Sequence, residues 1–454
     1  MSKSASASAF ALALASSLLV ACAGDDTNSA APVAADASVP VDAAGDSAIA
    51  IDAAPPPVPE PPWSGNTIEP GCTANGCIHA FQQTAHFSKS ILAGEAAAGN
   101  PVLNGIVQYG ITYVSDGAEI TGTVVVPDST PPTGGFGVVV MNQFTTGIGA
   151  SCAPSSGDLV IGVASASALN GFVTIVPDAT SYGGAPHGAY MEGKIAGRAA
   201  LDAARAAFHT TQALGKPIAR KAVIAGLSQG AFSTMAAARA YPTYANELEI
   251  RGFVAAEPPS NLRGTTNAAI NASTGNLVYD AMRLWSWQGL LKLSGGPVFI
   301  APFDTEAPTW FANDCIYNGS DGSDGTLYNM FYEPVPDGGT PSVPIAASAI
   351  FTPTFLGYVK TDSWPADWTA EYEASLTVPT GLKLPVLIFE GSADTTVLPA
   401  DVDAYVAQLQ AAGVNVDYRK IPGGMHATTA LSSFTVAQAG NAQAIAWITS
   451  TLAN

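Results

Sequence analysis

Charge is scarce in this chain and almost one-signed: 12% of its 454 residues are charged, 17 being Lys or Arg against 36 Asp or Glu. A formal net charge of −19 repels phosphate backbones and anionic headgroups, which argues against nucleic acid as a partner and leaves neutral substrates easier to accommodate. Long apolar runs are missing too, since none reaches the roughly 18 residues that a membrane-spanning helix needs. Histidine and cysteine are few, with five of each. What the chain has is material for a core, because 48% of it is hydrophobic. Its length suits one large unit built around a single sheet with an insertion.

The first 62 residues lack the means to form that core. Residues 1–22 carry one early cation, Lys3, then an apolar stretch from Phe10 to Val20 ending in Leu19-Val20-Ala21-Cys22. That pattern is an export signal, and small residues before a cysteine resemble a bacterial lipobox, in which Cys22 is lipidated after cleavage. An ordinary secretory signal cut nearby is the alternative. Residues 23–62 hold seven acidic side chains, no Lys or Arg and no aromatic, with repeated Pro and Ala. Such composition reads as a disordered tether. The expectation is an exported, lipid-anchored protein of a bacterial cell envelope, touching the membrane only through Cys22.

The central stretch is Lys221-Ala222-Val223-Ile224-Ala225-Gly226-Leu227-Ser228-Gln229-Gly230-Ala231-Phe232. An apolar strand drops into Gly-x-Ser-x-Gly and then into an Ala-rich helix, the pattern of a nucleophile elbow in an α/β-hydrolase sheet. The rest of the chain fits a mainly parallel sheet flanked by helices. Residues 106–114 and 119–126 flank Ser115-Asp116-Gly117 as a hairpin, and strands follow at 137–141 and 173–178. A helix over 193–214 precedes the elbow strand, and further strands are expected at 251–256, 384–390 and 415–421. About 120 residues without a convincing strand are too many for one loop. The catalytic domain is therefore assigned to 63–262 and 381–454, and an inserted cap to 263–380.

A serine hydroxyl needs a base, and the base needs an acid to hold its tautomer. Asp394 follows the strand ending at Glu390, and His426 follows the last strand in Pro422-Gly423-Gly424-Met425-His426. The order Ser228, Asp394, His426 is that of α/β-hydrolases, with Asp403 a weaker rival for the acid. His79 and His86 are expected before the sheet, His209 in a helix, and His187 upstream of the nucleophile. The oxyanion donors are the backbone N–H groups of Gln229 and of the loop 143–146, with Thr145 preferred. Four cysteines remain after Cys22, so two disulfides are expected from three possible pairings. Their positions favour Cys72–Cys77 and Cys152–Cys315; zinc at Cys72, Cys77 and His79 is a weaker alternative.

Several blocks together resemble the secretory lipase family of cap-bearing α/β-hydrolases. They are Thr145-Thr146-Gly147 with Cys152-Ala153-Pro154-Ser155; Pro177-Asp178 with Tyr182-Gly183 and His187; Gly197-Arg198-Ala199-Ala200-Leu201-Asp202-Ala203; Gly226 to Gly230; Tyr244-Ala245-Asn246-Glu247-Leu248; and Ala255-Ala256-Glu257-Pro258-Pro259-Ser260-Asn261-Leu262. The resemblance implies hydrolysis of carboxyl esters through an acyl-enzyme, acting on a neutral ester or lipid, without metal or organic cofactor. An acyltransferase or polyester depolymerase would use the same triad, and a non-catalytic surface-binding lipoprotein is the remaining alternative. Two substrate-contact positions depart from the family, Gln143-Phe144 replacing a common His-Gly and Leu227 replacing a tyrosine. Phe144 should narrow the space beside the scissile carbonyl and favour short to medium acyl chains. Some of Trp285, Trp287, Val298, Phe299, Ile300, Trp310, Phe311, Phe351, Phe355 and Leu356 are expected to line an acyl tunnel in the cap.

Overall fold

The structure is a computed structural model and describes residues 71–89, 104–156, 167–178, 189–272, 277–291, 293–318, 323–324, 327, 330–332, 344–426 and 443–453. The signal segment with Cys22, the acidic linker and His187 lie outside the described residues.

A nine-stranded sheet organises the fold. Its strands in chain order are β1 (Ile78–Phe87), β2 (Gly105–Ser115), β3 (Ala118–Asp128), β4 (Phe136–Asn142), β5 (Val173–Pro177), β6 (Ile218–Leu227), β7 (Glu249–Ala256), β8 (Val386–Gly391) and β9 (Val416–Ile421). Their spatial order is β1-β2-β3-β5-β4-β6-β7-β8-β9. The first three strands form antiparallel pairs, β3 joins β5 antiparallel, and every pairing from β5 to β9 is parallel. The β2–β3 hairpin turns through Asp116 and Gly117, both at positive φ (46° and 79°), which is what a tight two-residue connection demands.

The parallel strands read as nearly continuous apolar runs because helices cover both faces. Alternation assigns the faces. Val138, Val140, Ala222, Ile224, Phe253 and Ile388 pack with α1 (Gly193–Ala213), α2 (Gln229–Tyr244) and α8 (Pro399–Ala411), whereas Val139, Met141, Val223, Ala225, Val254 and Phe389 pack with α9 (Gln443–Ala453). Each such Val, Ile or Phe taken from water contributes about 1.5–3 kcal/mol, which fixes strand register, since a one-residue slip exchanges the faces. The family-like blocks at 197–203 and 244–248 meet on this layer: Tyr244 donates to Asp202 at 2.8 Å, and Arg205 of α1 pairs with Glu247.

Between β7 and β8 the regular structure of the described residues is mainly helical, with α3 (Leu262–Ala272), α4 (Leu277–Leu291), α5 (Ala301–Asn313), α6 (Pro353–Thr361) and α7 (Ala366–Leu376). Their apolar core also takes in Ile148, Tyr190, Met191 and Phe232, so it is continuous with the elbow helix. Most of the residues considered for an acyl tunnel belong to this core: Trp285, Trp287, Val298, Phe299, Phe311, Phe351 and Phe355 are buried against one another. Ring contacts such as Phe299–Phe303 at 5.1 Å between centroids account for their burial. Only Ile300, Trp310 and Leu356 of the ten are partly buried at its edge.

A correction concerns the start of the sheet. His79 and His86 lie on β1, not before the sheet. That strand is a half-exposed edge containing Gln82, Gln83 and Thr84, so it lacks the apolar run by which the inner strands announce themselves. The two disulfides are Cys72–Cys77 and Cys152–Cys315. The first joins the two thiols considered for zinc. The second ties the segment after β4 to the end of α5.

Candidate active site

The parallel half of the sheet delivers four polar residues along one edge, from consecutive strands β6, β7, β8 and β9. Ser228 follows β6 directly at φ 51°, ψ −116°, and is the N-cap of α2. An L-residue held at positive φ is strained at a cost of about 1–3 kcal/mol, and here its backbone N–H is anchored to Ala256 O at 2.9 Å. The turn closes only because its flanks are glycine. A Cβ on Gly226 would lie 2.3 Å from Gly230 C, and one on Gly230 would lie 2.1 Å from Asn142 O.

Ser228 Oγ is 3.0 Å from His426 Nε2, and His426 Nδ1 is 2.7 Å from Asp394 Oδ2. With the proton on Nδ1, Nε2 keeps its lone pair for the serine O–H. Asp394 is buried and its Oδ1 accepts from the backbone N–H groups of Thr396 (2.7 Å) and Val397 (2.9 Å), so the acid is fixed before it meets the imidazole. The loops that carry Asp394 and His426 are also bonded to each other: Ala393 N donates to Gly424 O at 2.8 Å, and Gly423 N to Ser392 Oγ at 2.7 Å. Burial works against an imidazolium at His426. The Asp394 hydrogen bond and the charges of Glu257 and Asp394 outweigh it, and the pKa is raised above the ordinary histidine value.

Asp403 is elsewhere. It accepts from Tyr418 Oη at 2.6 Å and Lys420 Nζ at 2.7 Å, and those bonds hold its carboxyl below the usual range. The other described histidines are likewise engaged away from Ser228, His79 with Glu119 and Cys72 O, His86 with Asp128, and His209 with Gly76 O. The one group of His, Cys, Asp and Glu with metal-like spacing among the described residues is Glu257, Asp394 and His426. Its imidazole nitrogens already face Ser228 and the two carboxyls, which suits a proton relay.

Gln229, the first residue of α2, is buried, and the loop after β4 lies against it. Close approach of Gly230 to the Asn142 and Gln143 carbonyls sets that contact, and Asn142 Nδ2 donates to Thr234 Oγ1 of α2 at 3.1 Å. Thr145 is buried, with its hydroxyl 2.7 Å from Tyr190 Oη. The same loop is held further along, where Ile316 N donates to Thr146 O at 2.9 Å beside the Cys152–Cys315 bridge. Phe144 is half-buried against the α9-side core. Leu227, expected at a substrate contact, is 2% exposed and packs in that core with Met141, Val254 and Phe389. β6 runs through Leu227, and the alternation puts it with Val223 and Ala225 on the α9 face of the sheet.

Two buried carboxyls were not expected. Glu257 follows β7 as Ser228 follows β6; it is fully buried at φ 54°, and its Oε2 is 3.2 Å from His426 Nδ1. Glu390, near the end of β8, is fully buried, and neither carboxyl oxygen has a hydrogen-bond partner among the described residues. Burial, followed by the charges of Asp394 and Glu257, pushes its pKa up to about 9. An acidic residue one step past a strand at the active edge, in Ala255-Ala256-Glu257-Pro258, was the available signal for the first.

The secretory lipase family model matches residues 159–283, a span that contains the elbow. No curated protein matches the sequence. Among solved structures, the rice cell wall degrading esterase LipA from Xanthomonas oryzae aligns with a TM-score of 0.65 at 17% identity, over 82% of this chain and 97% of that one. A protein from Legionella pneumophila gives 0.67 at 17% identity, over 82% and 98%. Candida antarctica lipase A in its closed state gives 0.55 at 16% identity, over 78% of each chain. The fold is that of these lipases and esterases.

Proposed function

We propose that this chain, whose residues 159–283 carry the secretory lipase pattern, is a carboxyl-ester hydrolase with Ser228 as nucleophile, His426 as base and Asp394 as orienting acid. The observation that carries this reading is the continuous relay at the elbow, Ser228 Oγ to His426 Nε2 at 3.0 Å and His426 Nδ1 to Asp394 at 2.7 Å. Ser228 Oγ attacks the ester carbonyl while His426 Nε2 takes its proton, and Asp394 stabilises the imidazolium that forms. Charge developing on the carbonyl oxygen meets the positive end of α2, with the N–H of Gln229 and one from the 143–146 loop, Thr145 foremost, as donors. His426 then protonates the departing alcohol. Water, deprotonated by the same imidazole, releases the acid from Ser228 and restores the hydroxyl. Turnover of 4-nitrophenyl butyrate by the wild type tests the reading, and no turnover of any ester in a panel from acetate to palmitate would refute it.

Acyl preference follows from Phe144. Its place in the loop after β4, beside the proposed oxyanion donors, supports a narrowed site that favours short to medium chains. In Phe144→Gly the longest esters should gain about tenfold in kcat/KM, the size of one or two added buried methylenes, while a short ester changes little. Comparison of kcat/KM across the panel checks this; an unchanged profile would remove Phe144 from the specificity argument.

The secretory family match and two disulfides suit an exported protein, and no helix among the described residues is long and apolar enough to cross a membrane. The Leu19-Val20-Ala21-Cys22 segment supports a lipid anchor at Cys22 on the cell envelope. Cys22→Ala should move the protein from the membrane to the soluble fraction without loss of specific activity. Retention in the membrane fraction would contradict the anchor.

A further inference from the structure

The acid side of the relay holds more than one carboxyl. β7 lies between β6, which delivers Ser228, and β8, which leads to Asp394. Glu257 leaves the end of that middle strand, where its backbone N–H donates to Phe389 O at 2.8 Å and its φ is 54°. From there the side chain reaches the imidazole, where Oε2 is 3.2 Å from Nδ1 while Asp394 Oδ2 is 2.7 Å away. Both carboxyls are fully buried.

We propose that Glu257 is a second acid of the relay, a positioning residue that shares the His426 Nδ1–H with Asp394 and holds the working tautomer when Asp394 is removed. This inference rests on the hydrolase reading. Asp394 is the nearer partner and is itself fixed by two backbone N–H groups, so it dominates in the intact protein. Glu257 reaches the same nitrogen from a different strand, so losing one acid leaves the other in place. Its charge is also among the causes that raise His426. Beside this cluster stands Glu390, on which the charges of Asp394, Glu257, Lys420 and Asp403 act. Burial keeps Glu390 neutral at ordinary pH.

The test is a double-mutant cycle read as kcat/KM for 4-nitrophenyl butyrate against pH, using wild type, Glu257→Gln, Asp394→Asn and the double variant. With one acid per histidine, the Asp→Asn change costs about 10⁴-fold in turnover; with Glu257 in reserve we expect about 10²-fold. Glu257→Gln alone should cost about threefold to tenfold and move the acid limb to lower pH, because a charge that favours the imidazolium is gone. The double variant should lose at least about tenfold more than the product of the single losses, since neither acid remains. A product of single losses equal to the double, or an acid limb unmoved in Glu257→Gln, would overturn the proposal. Thermal unfolding of each variant separates misfolding from lost positioning. Should Glu257→Gln not fold, Asp394→Asn decides alone, a full loss near 10⁴-fold being the adverse result. Failure of the hydrolase reading is distinct, because wild type would then turn over no ester.

Discussion

Replacing His426 or Ser228 with alanine is expected to lower kcat by about 10⁴-fold or more, with either loss nearly as large as both together. The reason is that the two act as one unit: Oγ is a poor nucleophile unless Nε2, 3.0 Å away, takes its proton as the bond to carbon forms. The variants should fold, because Ser228 contributes no side-chain cap to its helix and the His426 side chain is 21% exposed. Steady-state kinetics with matched thermal unfolding check this. The wild type should also show a displaced pH profile. The base must be neutral to work, and its pKa is raised in the folded protein by Asp394 and Glu257 against the effect of burial. Activity should therefore fall as pH drops through a value above the ordinary histidine pKa of about 6.5. Full kcat/KM well below that pH would contradict the assignment of His426 as base.

The next largest effect is expected from a single methyl group. Gly230→Ala places a Cβ 2.1 Å from Asn142 O, 2.6 Å from its carbonyl carbon and 2.7 Å from Gln143 O. All three are backbone atoms, so no rotamer change relieves the contact, and the loop after β4 must move away from the first turn of α2. Overpacking of this kind costs about 1–3 kcal/mol of stability, occasionally more. Displacing the loop that carries Thr145 should lower kcat/KM by about 10²–10³-fold, the loss that follows removal of one oxyanion donor. Gly357→Ala is the control, since nothing lies within 4 Å of its Cβ position in α6 and the helix gains a better former. Equal kinetics in the two variants would mean that the elbow and the β4 loop are not packed as described.

What could be read from the sequence follows from how strongly local pattern determines structure. The inner parallel strands each carry an apolar run, so β4 to β8 stand out, and Ser228, Asp394 and His426 each follow one of them or β9. The structure brings these three into hydrogen-bond distance. The edge strand β1 escaped notice because half its residues face water, and with it His79 and His86 were misplaced. The helical layer above the sheet is aromatic in sequence, but composition does not say which rings pack together. Trp287 and Phe351 are 0% exposed and fill the core, and Leu227, read as a substrate contact, proves to be a core residue of β6. Glu257 was the larger omission. In the sequence, Asp394 and Asp403 each follow a late strand and satisfy the order of serine, acid and histidine. Only the order of strands in space, with β7 between β6 and β8, shows that an acid at the end of β7 reaches the same imidazole nitrogen.

The most direct test is covalent labelling with a fluorophosphonate, which reacts fastest with a serine whose proton is taken by a neighbouring base. One adduct per chain is expected, on the peptide containing Gly226 to Gly230, absent in Ser228→Ala and slowed about 10³-fold or more in His426→Ala. Labelling at another serine, or undiminished labelling of Ser228→Ala, would contradict it.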